Sequence, residues 1–115
     1  MKLTATKEVE STIKNETGNM LELKIKCQHP ESLKILLKTA VEKELQSLSD
    51  GIEKTKQRLQ EFETKYQLST AEFLRRYEND EFTETLELDE WIGESWMLKN
   101  LCEEVENLKV VEFVN

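Results

Sequence analysis

Leu21, Leu23, Ile25 and Cys27 alternate with Glu22, Lys24, Lys26 and Gln28, the period-two pattern of a strand with one buried face. Upstream, Leu3, Ala5, Val9 and Ile13 hold one parity, which Lys7 and Ser11 interrupt. Lys14-Asn15-Glu16-Thr17-Gly18-Asn19 between them has turn composition. The pattern predicts a β-hairpin over residues 1–29. A two-stranded hairpin is marginal by itself, so it needs a surface to lie against.

Pro30 then suits the first position of a helix, where its missing N–H is not needed. Leu33, Leu37, Val41 and Leu45 step by four, and a stricter spacing follows. Leu45, Leu48, Ile52, Thr55, Leu59, Phe62 and Tyr66 lie alternately three and four apart. These are the a and d positions of a heptad repeat, with Lys, Glu, Gln and Arg filling most of the rest. One helix over 30–66 is predicted, roughly 50 Å long at 1.5 Å per residue. Gly51 weakens it by about 1 kcal/mol relative to alanine without ending it.

Ser69-Thr70-Ala71-Glu72 forms a capping-box sequence, with Leu68 and Phe73 at the two positions of a hydrophobic staple. A short helix over 69–78 follows from it. Residues 79–88 (NDEFTETLEL) read as a loop. Asp89 is placed to cap a last helix over 89–108, on which Trp91, Leu98, Leu101, Val105 and Leu108 share a face. Beyond it, the β-branched segment 109–114 reads as a third strand or a docked extended tail. The fold class expected is mainly α with a small β element, in a single domain of residues 1–115. Its parts are an N-terminal hairpin, a long coiled-coil-like helix, a short helix and an antiparallel C-terminal helix. The heptad seam finds its partner either on that last helix, as an intramolecular hairpin, or on a second copy. The intramolecular packing is preferred, because residues 91–108 supply a seam of comparable length.

Charge changes the picture more than size does. The 115 residues carry a net charge of −8, and it is unevenly spread. Residues 1–30 hold five lysines against four glutamates, and 31–68 hold seven basic against seven acidic side chains. Residues 69–115 hold four basic against thirteen acidic. An acidic surface repels phosphate backbones and attracts basic proteins, so direct nucleic-acid binding is disfavoured for this half. Five lysines keep a DNA-binding role open for the hairpin. The polar stretch from Met1 to Val9 does not read as a signal peptide, and no apolar run approaches the length of a membrane span. Cys27 and Cys102, far apart in the chain, are expected to be free thiols in the cytoplasm.

Apparatus for catalysis is not visible. Glu90 with Glu94, Glu103 with Glu106, and Asp80 with Glu84 have helical spacing. Paired acid–base work, however, needs an apolar pocket that separates two pKa values, and these read as solvated. Cys27-x-His29 could contribute to a metal site with Cys102, but zinc normally takes three or four such ligands, and a strand-end thiol beside a loop histidine explains the pair. No phosphate loop, zinc-binding motif or nucleophile elbow occurs. No cofactor, metal or catalytic residue is therefore expected. Arg75 and Arg76 form either an ion-pairing patch with Glu72, Glu78 or Asp80, or a contact point for a partner. Trp91 and Trp96 face different sides of their helix, so one belongs to the core and the other is a candidate anchor.

Residues 69–108 (STAEFLRRYENDEFTETLELDEWIGESWMLKNLCEEVENL) resemble small acidic coiled-coil proteins of cyanobacteria and archaea, encoded beside toxin genes and regarded as antitoxin-like. Ser69, Glu72, Phe73, Arg75, Arg76, Glu90 and Trp91 carry the likeness, and the charged heptads before them fit it. The loop departs from the family pattern. It lacks an expected glycine and adds Phe82 and Thr85. The resemblance implies a non-enzymatic protein-binding module, an antitoxin that neutralises a basic toxin through its acidic C-terminal helices. The residues expected to meet that partner are Arg75, Arg76, Glu90, Trp91, Trp96, Met97, Glu103, Glu104 and Glu106. The alternative is a structural coiled-coil protein that assembles with itself, and homodimerisation is compatible with either reading.

Overall fold

A computed structural model of the chain describes residues 3–4, 10–12 and 21–113, with side chains from residue 21 onward. The protein is mainly helical. Among the described residues four short strands, β1 (Leu3–Thr4), β2 (Glu10–Thr12), β3 (Glu22–Lys24) and β4 (Lys26–Cys27), precede three helices, α1 (Pro30–Tyr66), α2 (Thr70–Glu78) and α3 (Leu86–Lys109). The chain packs into two compact units, residues 1–40 and 41–115.

In the first unit, β1 pairs antiparallel with β4 (Leu3 opposite Cys27, Thr4 opposite Lys26). The strand β2 pairs antiparallel with β3, with Glu10, Ser11 and Thr12 opposite Lys24, Leu23 and Glu22. Each ladder is a two-stranded sheet. The turn expected at Lys14–Asn19, and Ala5, Val9 and Ile13 of the expected alternation, lie outside the described residues. The alternation of Leu21, Leu23 and Ile25 is present, but its apolar side is not buried as expected, and all three side chains are exposed. A two-stranded ribbon buries an apolar face only where a second layer covers it. Among the described side chains of this unit Leu33 alone is buried, and Ile35 and Leu36 on α1 are exposed as well.

In the second unit, α1 and α3 run antiparallel. Arg58 Nε meets Glu94 Oε2 at 2.7 Å, and Lys65 Nζ meets Glu87 Oε2 at 2.5 Å. Seven residues before Arg58, Gly51 lies against Leu101, seven residues after Glu94. The heptads of the two helices therefore run in step, and Leu48, Thr55 and Leu59 of the predicted seam are buried. Leu59, Phe73, Leu88 and Trp91 form the core, with Phe62, Leu68, Leu74, Tyr77, Phe82, Ile92 and Leu98 packed round it. The seam thus has its partner inside the chain.

The helix ends follow from local chemistry. Gln67 stops α1 in the left-handed region (φ 53°) while the Leu68 N–H returns to the Glu63 carbonyl at 3.2 Å. Asp80 does the same for α2 (φ 58°), with the Glu81 N–H reaching the Arg76 carbonyl at 3.1 Å. These are Schellman closures made without glycine. The last helix starts three residues before the predicted boundary. Thr85, not Asp89, caps it, accepting the Leu88 N–H at 3.2 Å. At the other end α3 continues through Lys109, and residues 110–113 form no strand. Phe113 is half-buried, and Val114 lies outside the described residues.

Candidate protein-interaction surface

The Ser69 cap forms as the sequence requires, its Oγ accepting the Glu72 N–H at 3.1 Å. The reciprocal half of the box is replaced. The Glu72 carboxylate turns along α2 to Arg75, which donates from Nε at 3.0 and 3.1 Å and from Nη2 at 2.5 Å. Arg76 Nε reaches the same carboxylate at 3.4 Å. Hydrogen bonding and charge from Arg75, aided by Arg76, hold the Glu72 carboxyl down at about 2. At the helix start it is Glu63 that serves the backbone, accepting the Thr70 N–H at 2.7 Å. Arg75 and Arg76 thus pair with Glu72, the first of the acidic partners expected for an ion-pairing patch.

Trp91 is fully buried, which corrects its expected place among partner-binding residues. Its indole stacks with two phenyl rings, Phe73 at 3.9 Å and Phe62 at 5.5 Å, both nearly parallel to it. Tyr66 stacks on it as well, and Phe82 packs on Phe73 at 5.5 Å. The indole N–H donates to Thr70 Oγ1 at 2.9 Å, which satisfies the one polar atom of the ring. The staple residue Phe73, the first residue of α2 and two rings of α1 therefore converge on Trp91. Phe82 packs on this core, and Thr85 starts α3.

Beside the stack, Glu87 gathers Lys65 and Tyr66, both of which donate to it. The two hydrogen bonds hold its carboxyl below the usual range and raise the Lys65 ammonium and the Tyr66 phenol. Sequence reasoning missed Glu87. The signal was there, because Glu87 falls seven residues before Glu94 on a helix whose heptads match α1.

Trp96 and Met97 are the opposite case to Trp91: 65% and 49% exposed, on the side of α3 turned from the core. Helical spacing puts Glu103 two turns beyond Trp96, and Glu90 and Glu104 two turns either side of Met97. All three carboxylates are exposed. Gly93, one turn before Met97, has open space where a Cβ would stand. An apolar pair thus stands about 10 Å from acidic side chains in both directions along the helix. Glu106 lies to the flank, where it borders a shallow concavity with Lys99, Cys102, Glu103 and Asn107.

Among the described residues no group of three or more His, Cys, Asp or Glu side chains is placed to hold a metal ion, and Cys27 and Cys102 are free thiols. No helix among them is long and apolar enough to cross a membrane. Comparison with protein families, with curated proteins and with solved structures gives no match for this chain. The resemblance of residues 69–108 therefore rests on its motif residues alone.

Proposed function

We propose that this is a non-enzymatic protein-binding module that receives a basic partner on the outer face of α3, with Trp96 as the anchor. The observation that carries the reading is the division of labour between the two tryptophans. Trp91 is consumed by the core, while Trp96 stands 65% exposed beside Met97 on an acidic helix. Tryptophan is over-represented among residues whose removal weakens protein interfaces, and acidic flanks speed the encounter with a cationic surface. A cognate toxin, the partner implied by the family resemblance, is one protein of this chemistry.

Co-expression with the product of the adjacent gene, followed by affinity capture, tests the proposal. Trp96→Ala is expected to raise the dissociation rate. Changing Glu90, Glu103 and Glu104 together to Gln is expected to slow association, with the difference shrinking as salt screens the steering. Helical content should stay at the wild-type level in both variants. Capture that survives both changes would put the binding surface elsewhere.

A further inference from the structure

The β3 strand has one edge paired with β2, and its other edge has no strand partner among the described residues. On the strand and its flanks the side chains alternate as Leu21, Glu22, Leu23, Lys24, Ile25. The three aliphatic side chains are 53%, 65% and 42% exposed, so this part of the molecule presents an apolar row beside an open edge. Such an edge is a template for pairing, and proteins that leave one unprotected tend to fill it.

We propose that a second copy of this chain fills it, β3 pairing antiparallel with β3 about a two-fold axis at Leu23. The sequence is self-complementary in this register and in none of its neighbours. With Leu23 opposite its own mate, Leu21 falls opposite Ile25, and Glu22 falls opposite Lys24, twice over. Slipping one residue sets Leu23 against a charged side chain and mixes the two faces. Slipping two residues in either direction sets Glu22 against Glu22 or Lys24 against Lys24, and like charges directly opposite are unfavourable. The pairing joins three apolar side chains from each copy into one row and satisfies the open edge. The proposal rests on β3 and its flanks alone, not on the reading of α3.

The contact is short, which places it among small, reversible interfaces. Wild-type protein is therefore expected to sediment as a monomer–dimer equilibrium that shifts toward monomer on dilution and with added salt. Glu22→Lys sets like charges opposite each other at both ends of the pairing, and is expected to weaken the dimer on the order of tenfold or more. The reversal belongs at Glu22 because its Cα partner on β2 is Thr12, whereas Lys24 stands opposite Glu10. Register is read separately in a Cys27→Ser, Cys102→Ser background. There Leu23→Cys should oxidise to a covalent dimer with itself. Leu21→Cys should not, but should link to Ile25→Cys when the two are mixed, since only paired positions come within disulfide range. Wild-type protein that stays monomeric at all concentrations would overturn the proposal. So would a Glu22→Lys dimer as tight as wild type, or self-linking at Leu21 as fast as at Leu23.

Discussion

Gly51 of α1 and Leu101 of α3 face each other so closely that a Cβ placed on Gly51 would meet Leu101 Cδ1 at 3.4 Å. That distance is ordinary van der Waals contact, and the neighbour is the end of a flexible side chain. Gly51→Ala should therefore gain helix propensity and lose nothing to collision, stabilising the protein by about 1 kcal/mol. Gly51→Leu should gain less or lose stability, because carbons beyond its Cβ press further on Leu101. Urea unfolding of the two variants reads the difference.

Leu59 is the point at which the seam meets the aromatic core, and it is nearly fully buried. Leu59→Glu would bring an unpaired carboxylate among Phe73, Leu88 and Trp91. A loss of about 3 kcal/mol or more is expected. A melting temperature equal to that of the wild type would mean that α1 and α3 do not pack in solution.

Ser69→Ala removes the bond that the Glu72 N–H makes to the cap and should lower stability by about 1 kcal/mol. In a reciprocal box, a second change at Glu72 would cost less than it does alone. Here the Glu72 carboxylate is occupied by Arg75 and Arg76 rather than by the cap. The two alanine changes should then add to within about 0.5 kcal/mol in a double-mutant cycle.

The same ion pairs set an acid limb. Glu72 titrates near 4.5 when free and at about 2 in the folded chain. A depressed folded value means that its contribution is complete above pH 4.5 and is lost as pH falls toward 2. Glu87, held down by Lys65 and Tyr66, acts in the same direction. Melting temperature followed from pH 5 to pH 2 should fall less steeply for Glu72→Gln than for wild type, while the two curves run parallel above pH 5.

Much of this was legible in the residues themselves. The Leu45-to-Tyr66 spacing located α1 and its seam, and Ser69 located α2, because heptads and caps are local codes. Two non-glycine helix stops were not legible. Gln67 and Asp80 adopt left-handed backbone because the chain around them closes a Schellman turn, and neither residue type announces it. Thr85 was passed over for Asp89 because both are good caps, and only the packing of Leu88 into the core chooses between them. At the surface, spacing alone separated Trp91 from Trp96 onto different faces. Assigning the buried one needed Phe73 and Phe62, brought together from two other helices.

The matched seven-residue steps of α1 and α3 make their pairing modular. Gly51 with Leu101, Arg58 with Glu94 and Lys65 with Glu87 are three rungs of a single ladder, each one heptad from the next. Excising one heptad from each arm at the same level would rejoin rung to rung, shortening the pair by about 10 Å with every remaining contact preserved. Excising it from one arm alone would misalign every rung on one side of the cut. Evolution could therefore lengthen or trim this hairpin only in paired instalments, so the spacing between its aromatic end and its far end is quantised rather than continuously adjustable.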